Sequence, residues 1–282
     1  MDLLDSVAAP GSALGGGIKR GAGDDRYVFD EAAAWAAVID GATDVGPVRI
    51  FPESESDAAA YADLFAAELV AHPATTDEAL LNYFSRIAIG LREAAAKASR
   101  IPLADAPLAS LPTAAATFVR ARQSVLEGAT LGDTLAIVRQ PDGAIGLIGD
   151  GGKPADEQAR ARRVMTMTPE QRLKWLQDTR TVHNTAKGYW VFGVQPEAAA
   201  HIVRQSQPCP RGTRALLMTD GFYRLVSPYR RYSDAQLIER AGSEGLGALL
   251  TELRGMEADP ADDASIGRFK TSDDATALLV EF

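Results

Sequence analysis

Three apolar runs that each carry aspartate at one end constrain this chain more than any other feature. Trp35-Ala36-Ala37-Val38-Ile39 is long enough for a buried strand and stops at Asp40-Gly41. Ala215-Leu216-Leu217-Met218-Thr219 runs into Asp220-Gly221, and Asp273-Asp274 stands at the start of the run Ala275 to Val280. Antiparallel neighbours bring all three acidic ends together. Converging carboxylates repel one another unless a cation sits among them, and oxygen-only ligands suit a hard ion such as Mg2+ or Mn2+.

Composition narrows the classes. A chain of 282 residues with 46% hydrophobic content can bury a sizeable core. The acidic ends lie near both termini, which favours one domain over 18–282 behind a small, Gly-rich, flexible leader at 1–17. The net charge of −9 argues against a general nucleic-acid binder, and no apolar run approaches the length that crosses a bilayer. The acidic start Met1-Asp2-Leu3-Leu4-Asp5 is unlike a secretory signal, so a cytoplasmic protein is expected, and a monomer. Cys209 is the single cysteine and lies between two prolines, which forbids an internal disulfide and reads as a loop.

The pattern along the chain predicts an α+β fold. Arg26 to Phe29 and Trp35 to Ile39 read as paired strands, and helices are expected over 54–71 and from about Thr76 to Ala98, the second with a capping box at Thr75-Thr76-Asp77-Glu78. Ala115 to Arg120, Val125 to Leu131, Thr134 to Arg139 and Ala144 to Ile148 read as a consecutive antiparallel meander. Residues 149–210 are an excursion with a short helix opening at Thr168-Pro169, read as a flap over the site. Ser233 to Ala241 and Glu244 to Leu253 read as helices, and a loop from Asp259 to Ser272 precedes the last strand.

The order Arg20-x4-Asp25-Arg26, Val38-Ile39-Asp40-Gly41, Pro112-Thr113-Ala114, Gly132-Asp133-Thr134, Thr219-Asp220-Gly221 and Asp273-Asp274-Ala275-Thr276 resembles the metal-dependent Ser/Thr protein phosphatases of the 2C type. Each tripeptide is weak alone; six in order over most of the chain are a specific signal. The resemblance implies a four-layer α-β-β-α sandwich of two mainly antiparallel sheets flanked by helices. It implies a phosphatase acting on phosphoserine and phosphothreonine of a protein substrate, by attack of a water activated between two Mn2+ or Mg2+ ions. Carried over, Asp40 bridges both ions, Gly41 offers its carbonyl, Asp220 and Asp273 complete one ion, Asp25 serves the other, and Arg20 holds the substrate phosphate. Asp133 matches one ligand of a third ion.

The chain departs from that pattern in places. Ala42 stands where animal members have a histidine proposed as general acid, Arg224 where many members have an acid for the third ion, opposite Asp133, and Asp24 where Glu is common. His183 is the only histidine of the excursion, and an ordinary pKa near 6.5 suits it to proton donation, with an exposed loop position as the plainer alternative. The aspartyl-nucleophile phosphotransferases of the haloacid dehalogenase type would need an acid at 38 and threonine at 42, and both are absent. A catalytically silent phosphatase-like binding domain is the alternative from another class.

Overall fold

The continuous apolar runs are strands buried on both faces. In the computed structural model, which describes residues 1–12, 23–75, 77–149, 166–259 and 272–282, two antiparallel sheets stack face to face. One has the order β1 (Asp2–Ala9), β11 (Ala275–Glu281), β10 (Arg214–Met218), β6 (Leu135–Arg139) and β7 (Ile145–Ile148). The other runs β2 (Arg26–Asp30), β3 (Trp35–Gly41), β4 (Thr113–Arg122), β5 (Val125–Leu131) and β9 (Val203–Pro208), with β8 (Phe192–Gly193) paired to β4.

Successive side chains of a strand point to opposite faces, and the three cores follow that alternation. Ala36 and Val38 of β3 meet Ala215 and Leu217 of β10 and Leu278 and Val280 of β11 between the sheets. Trp35, Ala37 and Ile39 face outward onto α1 (Asp57–Ala71) and α2 (Leu80–Ala98), where Tyr61, Phe65, Tyr83, Phe84 and Leu91 bury against them. On the far side, Leu216, Met218 and Leu279 pack under α5 (Asp234–Glu244) and α6 (Leu246–Ala258) through Leu237, Ile238, Leu249 and Leu253. This is the four-layer α-β-β-α sandwich expected from the sequence.

Several local expectations are corrected. Residues 2–9 of the expected leader form β1, paired along its length with β11 from Asp2↔Glu281 to Ala9↔Ala275; residues 13–22 lie outside the described residues. The meander is two hairpins in different sheets. β5 ends in one sheet and β6 begins in the other, and the chain crosses at Gly132, where φ is +103° and a Cβ would stand 2.2 Å from the Ala115 Cβ. Glycine alone tolerates both conditions. Helix α1 starts at Asp57, capped by Ser56, whose Oγ accepts from Ala59 N at 2.8 Å. Helix α2 starts at Leu80 without a side-chain cap; Glu78 accepts from Thr75 N at 3.3 Å, as a box there would have it, and also pairs with Arg86 at 2.9 Å, but Thr75 and Glu78 both lie ahead of the helix.

The excursion carries regular structure within its described portion. Its described portion holds α3 (Pro169–Thr181), whose expected start is a full capping box between Thr168 and Gln171, and ends in β9, the edge strand on β5. Helix α3 lies against the chain that follows Asp40: Arg180 donates to Thr43 O at 3.0 Å and Gln177 to Val45 O at 2.8 Å. No helix among the described residues is long and apolar enough to cross a membrane.

Candidate metal centre

The register decides where the acids meet. Met218, the last residue of β10, pairs with Ala277 near the start of β11 and with Leu135 at the start of β6, so Asp220, Asp273 and Asp133 project from one end of the first sheet. In the second sheet Asp40 pairs with Ala115 and Ile39 with Arg26, which puts Asp40 at the same end as Asp25, just before β2. The sheets are stacked with these ends together. The carboxyl of Asp40 is held above its ordinary 3.8 by burial first, then by Asp25, Asp220, Asp133 and Asp273. Asp25 is also raised, by burial and by Asp274, Asp273 and Asp220, with a hydrogen bond from Thr219 opposing the shift.

The structure thus brings Asp25, Asp40, Asp133, Asp220 and Asp273 into one electrostatic field; Arg20 lies outside the described residues. Among the described residues no three acid, histidine or cysteine side chains already close around a point as a finished ligand cage. The donor set still fits divalent cations. Asp25 Oδ1 is buried with no hydrogen-bond partner, and a buried polar oxygen left so is costly unless a ligand satisfies it. Mutually repelling oxygen donors are also the chemistry that a hard cation relieves.

The glycines after the acids serve close approach rather than turning. At Gly41, which continues β3, a Cβ would lie 2.5 Å from Asp24 O and 2.9 Å from Ala58 O. At Gly221, in the four-residue helix α4 (Asp220–Tyr223), it would lie 1.8 Å from Asp274 O. Both strands stop where the sequence reading ends them, β3 at Gly41 and β10 at Met218, and the glycines in addition let neighbouring backbones approach closely.

The sequence assigned no positioning role to the residues that hold the acids in place. Asp274 Oδ1 accepts from Gly11 N at 2.6 Å and Oδ2 from Asp24 N at 3.1 Å, tying the end of β1 and the approach to β2 onto β11. Thr219 Oγ donates to Asp25 Oδ2 at 2.8 Å and accepts from Thr276 N at 3.1 Å, fixing one carboxylate oxygen of Asp25. Asp24 Oδ1 accepts from Ser56 Oγ at 2.5 Å, and Asp44 accepts from Asp57 N and Ala58 N at 2.8 and 3.0 Å, so α1 is pinned to both acid-bearing loops. Asp274 and Thr219 stood in the sequence only as members of the motifs Asp273-Asp274-Ala275-Thr276 and Thr219-Asp220-Gly221, with no role of their own.

Two expectations about single residues change. Arg224 does not turn to Asp133; its guanidinium donates to Glu257 Oε1 at 3.0 Å and to Asp273 Oδ2 at 2.8 Å. His183 is not an exposed loop residue; it is partly buried beside Tyr189. Burial, and then the neighbouring Arg180, lower its pKa to about 4. The imidazole is therefore neutral at pH 7 and has no imidazolium proton to give a leaving group. We expect His183→Ala to change turnover of a phosphoserine peptide and of p-nitrophenyl phosphate by the same factor. A selective fall on the peptide, whose alkoxide leaves poorly, would show that His183 donates a proton after all.

No protein-family model matches the chain, and no curated protein matches it in sequence. Solved structures do match in shape. The catalytic domain of the serine/threonine protein phosphatase PstP in complex with two manganese ions is 16% identical, with 98% of this chain and 96% of that one covered and a TM-score of 0.56. The Mycobacterium tuberculosis serine/threonine phosphatase PstP/Ppp is 14% identical over 98% and 97%, with a TM-score of 0.59. PppA, a regulatory component of T6SS in Pseudomonas aeruginosa, is 16% identical over 99% and 98%, at 0.51. Coverage of nearly the whole of each of those chains means that the sandwich is shared from end to end, so this chain has the fold of these solved structures, among them the two serine/threonine phosphatases.

Proposed function

We propose that this chain is a metal-dependent phosphatase that hydrolyses phosphoserine and phosphothreonine on proteins. The observation that carries the reading is the meeting of five aspartates from separate strand ends around Asp40, with Asp25 Oδ1 buried and unpartnered. Divalent ions held there, Mn2+ or Mg2+, would neutralise a phosphomonoester dianion and activate water for attack. Asp40, central to the field of the other four acids, would hold both ions, with the Gly41 carbonyl as a further donor; Asp220 and Asp273 would complete one ion, and Asp25 would serve the other. Thr219 and Asp274 keep the oxygens aimed. Arg20, five residues before Asp25, is assigned to the substrate phosphate, since a guanidinium grips two phosphate oxygens at once. The two solved structures of phosphatases named PstP, one with two manganese ions, support the same reading.

Asp133 belongs to the field of Asp40 and is the remaining donor for a third ion. A second reading, a phosphatase-like domain that binds metal without turnover, is favoured by one observation, the engagement of Asp273 by Arg224. Hydrolysis of p-nitrophenyl phosphate with added Mn2+ separates the two. Turnover that follows Mn2+ and disappears with chelator supports the enzyme; Mn2+ binding with no turnover supports the silent domain.

A further inference from the structure

Asp273 differs from Asp25 in one respect that matters for a cation. Both of its carboxylate oxygens already have donors: Oδ2 accepts from Arg224 at 2.8 Å, and Oδ1 from the backbone N–H of Asp274 at 3.2 Å. The guanidinium that holds it is not a loose surface group. Arg224 is 9% exposed and its other arm reaches Glu257, 2% exposed, at 3.0 Å. Glu257 is gripped in turn by Arg254 at 2.5 Å, and Arg254 also donates to Ala9 O and Pro10 O at 3.3 Å, at the end of β1. Charges alternate along this chain of contacts, Arg254, Glu257, Arg224, Asp273, from the edge strand to the rim of the acidic centre.

We propose that Arg224 is a built-in cation of this centre: it holds Asp273, a divalent ion must take that carboxylate from it, and Arg224 thereby sets the centre's metal affinity. The proposal rests on the reading of the acids as a metal centre. A guanidinium stays charged at any working pH, so protonation state cannot release Asp273. Glu257 and Arg254 restrain Arg224 from swinging into solvent, so its attraction for Asp273 persists as an ion approaches. Fixed positive charge beside Asp220 and Asp273 also repels the incoming ion directly. The arrangement makes metal occupancy depend on free ion concentration over a higher range than the acid count alone implies.

Calorimetric titration of Mn2+ into the full chain tests this with the parent, Arg224→Gln, and the double variant Arg224→Gln/Glu257→Gln, which leaves no buried carboxylate stranded. Both variants are expected to bind Mn2+ more tightly, by about 5- to 150-fold, the usual range for coupling between two ligands. Parent-like or weaker binding in the folded variants, with the parent binding Mn2+, overturns the role of Arg224 and spares the metal centre. No Mn2+ binding by the parent or either variant overturns both.

Discussion

Replacing Asp40 by Asn is expected to lower Mn2+-dependent turnover by about 10³-fold or more, the scale of losing one member of a catalytic unit, while raising the melting temperature of the metal-free protein. The two effects have one cause. Asp40 stands partly buried among four other acids that hold its pKa above the ordinary 3.8, with burial the larger cause. The unfolded chain releases that proton near 3.8 and the folded chain releases it only at higher pH. Between those values the folded state binds more protons than the unfolded state, so stability from this group is complete below about pH 3.8 and is lost as pH rises through the folded pKa. The Asn variant carries no such dependence. Its advantage in melting temperature over the parent should be absent in acid, grow toward neutral pH, and reverse when Mn2+ is added, because only the parent gains from binding the ion. A variant less stable than the metal-free parent at neutral pH would show that Asp40 is a structural acid.

The second large effect concerns backbone approach. Gly221→Ala places a methyl 1.8 Å from Asp274 O and 3.2 Å from the Asp273 Cβ, both beneath the acidic centre. Backbone cannot swing aside as a long side chain can, so α4 must separate from the start of β11. The cost is about 3 kcal/mol, the upper end of overpacking penalties, or a melting temperature lower by roughly 6 °C or more. Gly255→Ala is the matched control. In α6 its Cβ meets nothing within 4 Å, and the same change should stabilise the helix by about 0.5–1 kcal/mol. Equal effects at the two positions, read by thermal unfolding, would remove the close-approach account of the Asp-Gly pairs.

Much of the architecture was legible because the strands that carry the acids are covered on both faces and read as unbroken apolar runs. Trp35 to Ile39 and Ala275 to Val280 needed no partner to be recognised. Their convergence followed from antiparallel pairing alone. β1 was not legible, because a strand with Asp2, Asp5 and Ser6 has no clean alternation, and its partner strand lies at the far end of the sequence, from Ala275 to Glu281. Local pattern carries no signal of such a pairing. The split of the expected meander hinges on one residue, Gly132, whose positive φ sends the chain to the other sheet.

Within the centre, strand-end position found Asp40, Asp220 and Asp273, and the family resemblance added Asp25 and Asp133, but neither showed which neighbours were committed to backbone. Asp273 and Asp274 are the same residue side by side. Only the contacts show that Asp274 holds Gly11 and Asp24 while Asp273 faces the centre and Arg224. Arg224 read in sequence as the loss of an acid; in the structure it is the gain of a tethered charge.

The central claim is that these aspartates hold ions that hydrolyse a phosphomonoester. Phosphate release from a phosphothreonine peptide, followed as Mn2+ is titrated into the chelator-treated protein, tests it most directly. The account predicts release that rises with Mn2+, returns to background on chelation, and is absent from Asp40→Asn and Asp220→Asn. Release that persists without metal, or survives in either variant, would contradict it.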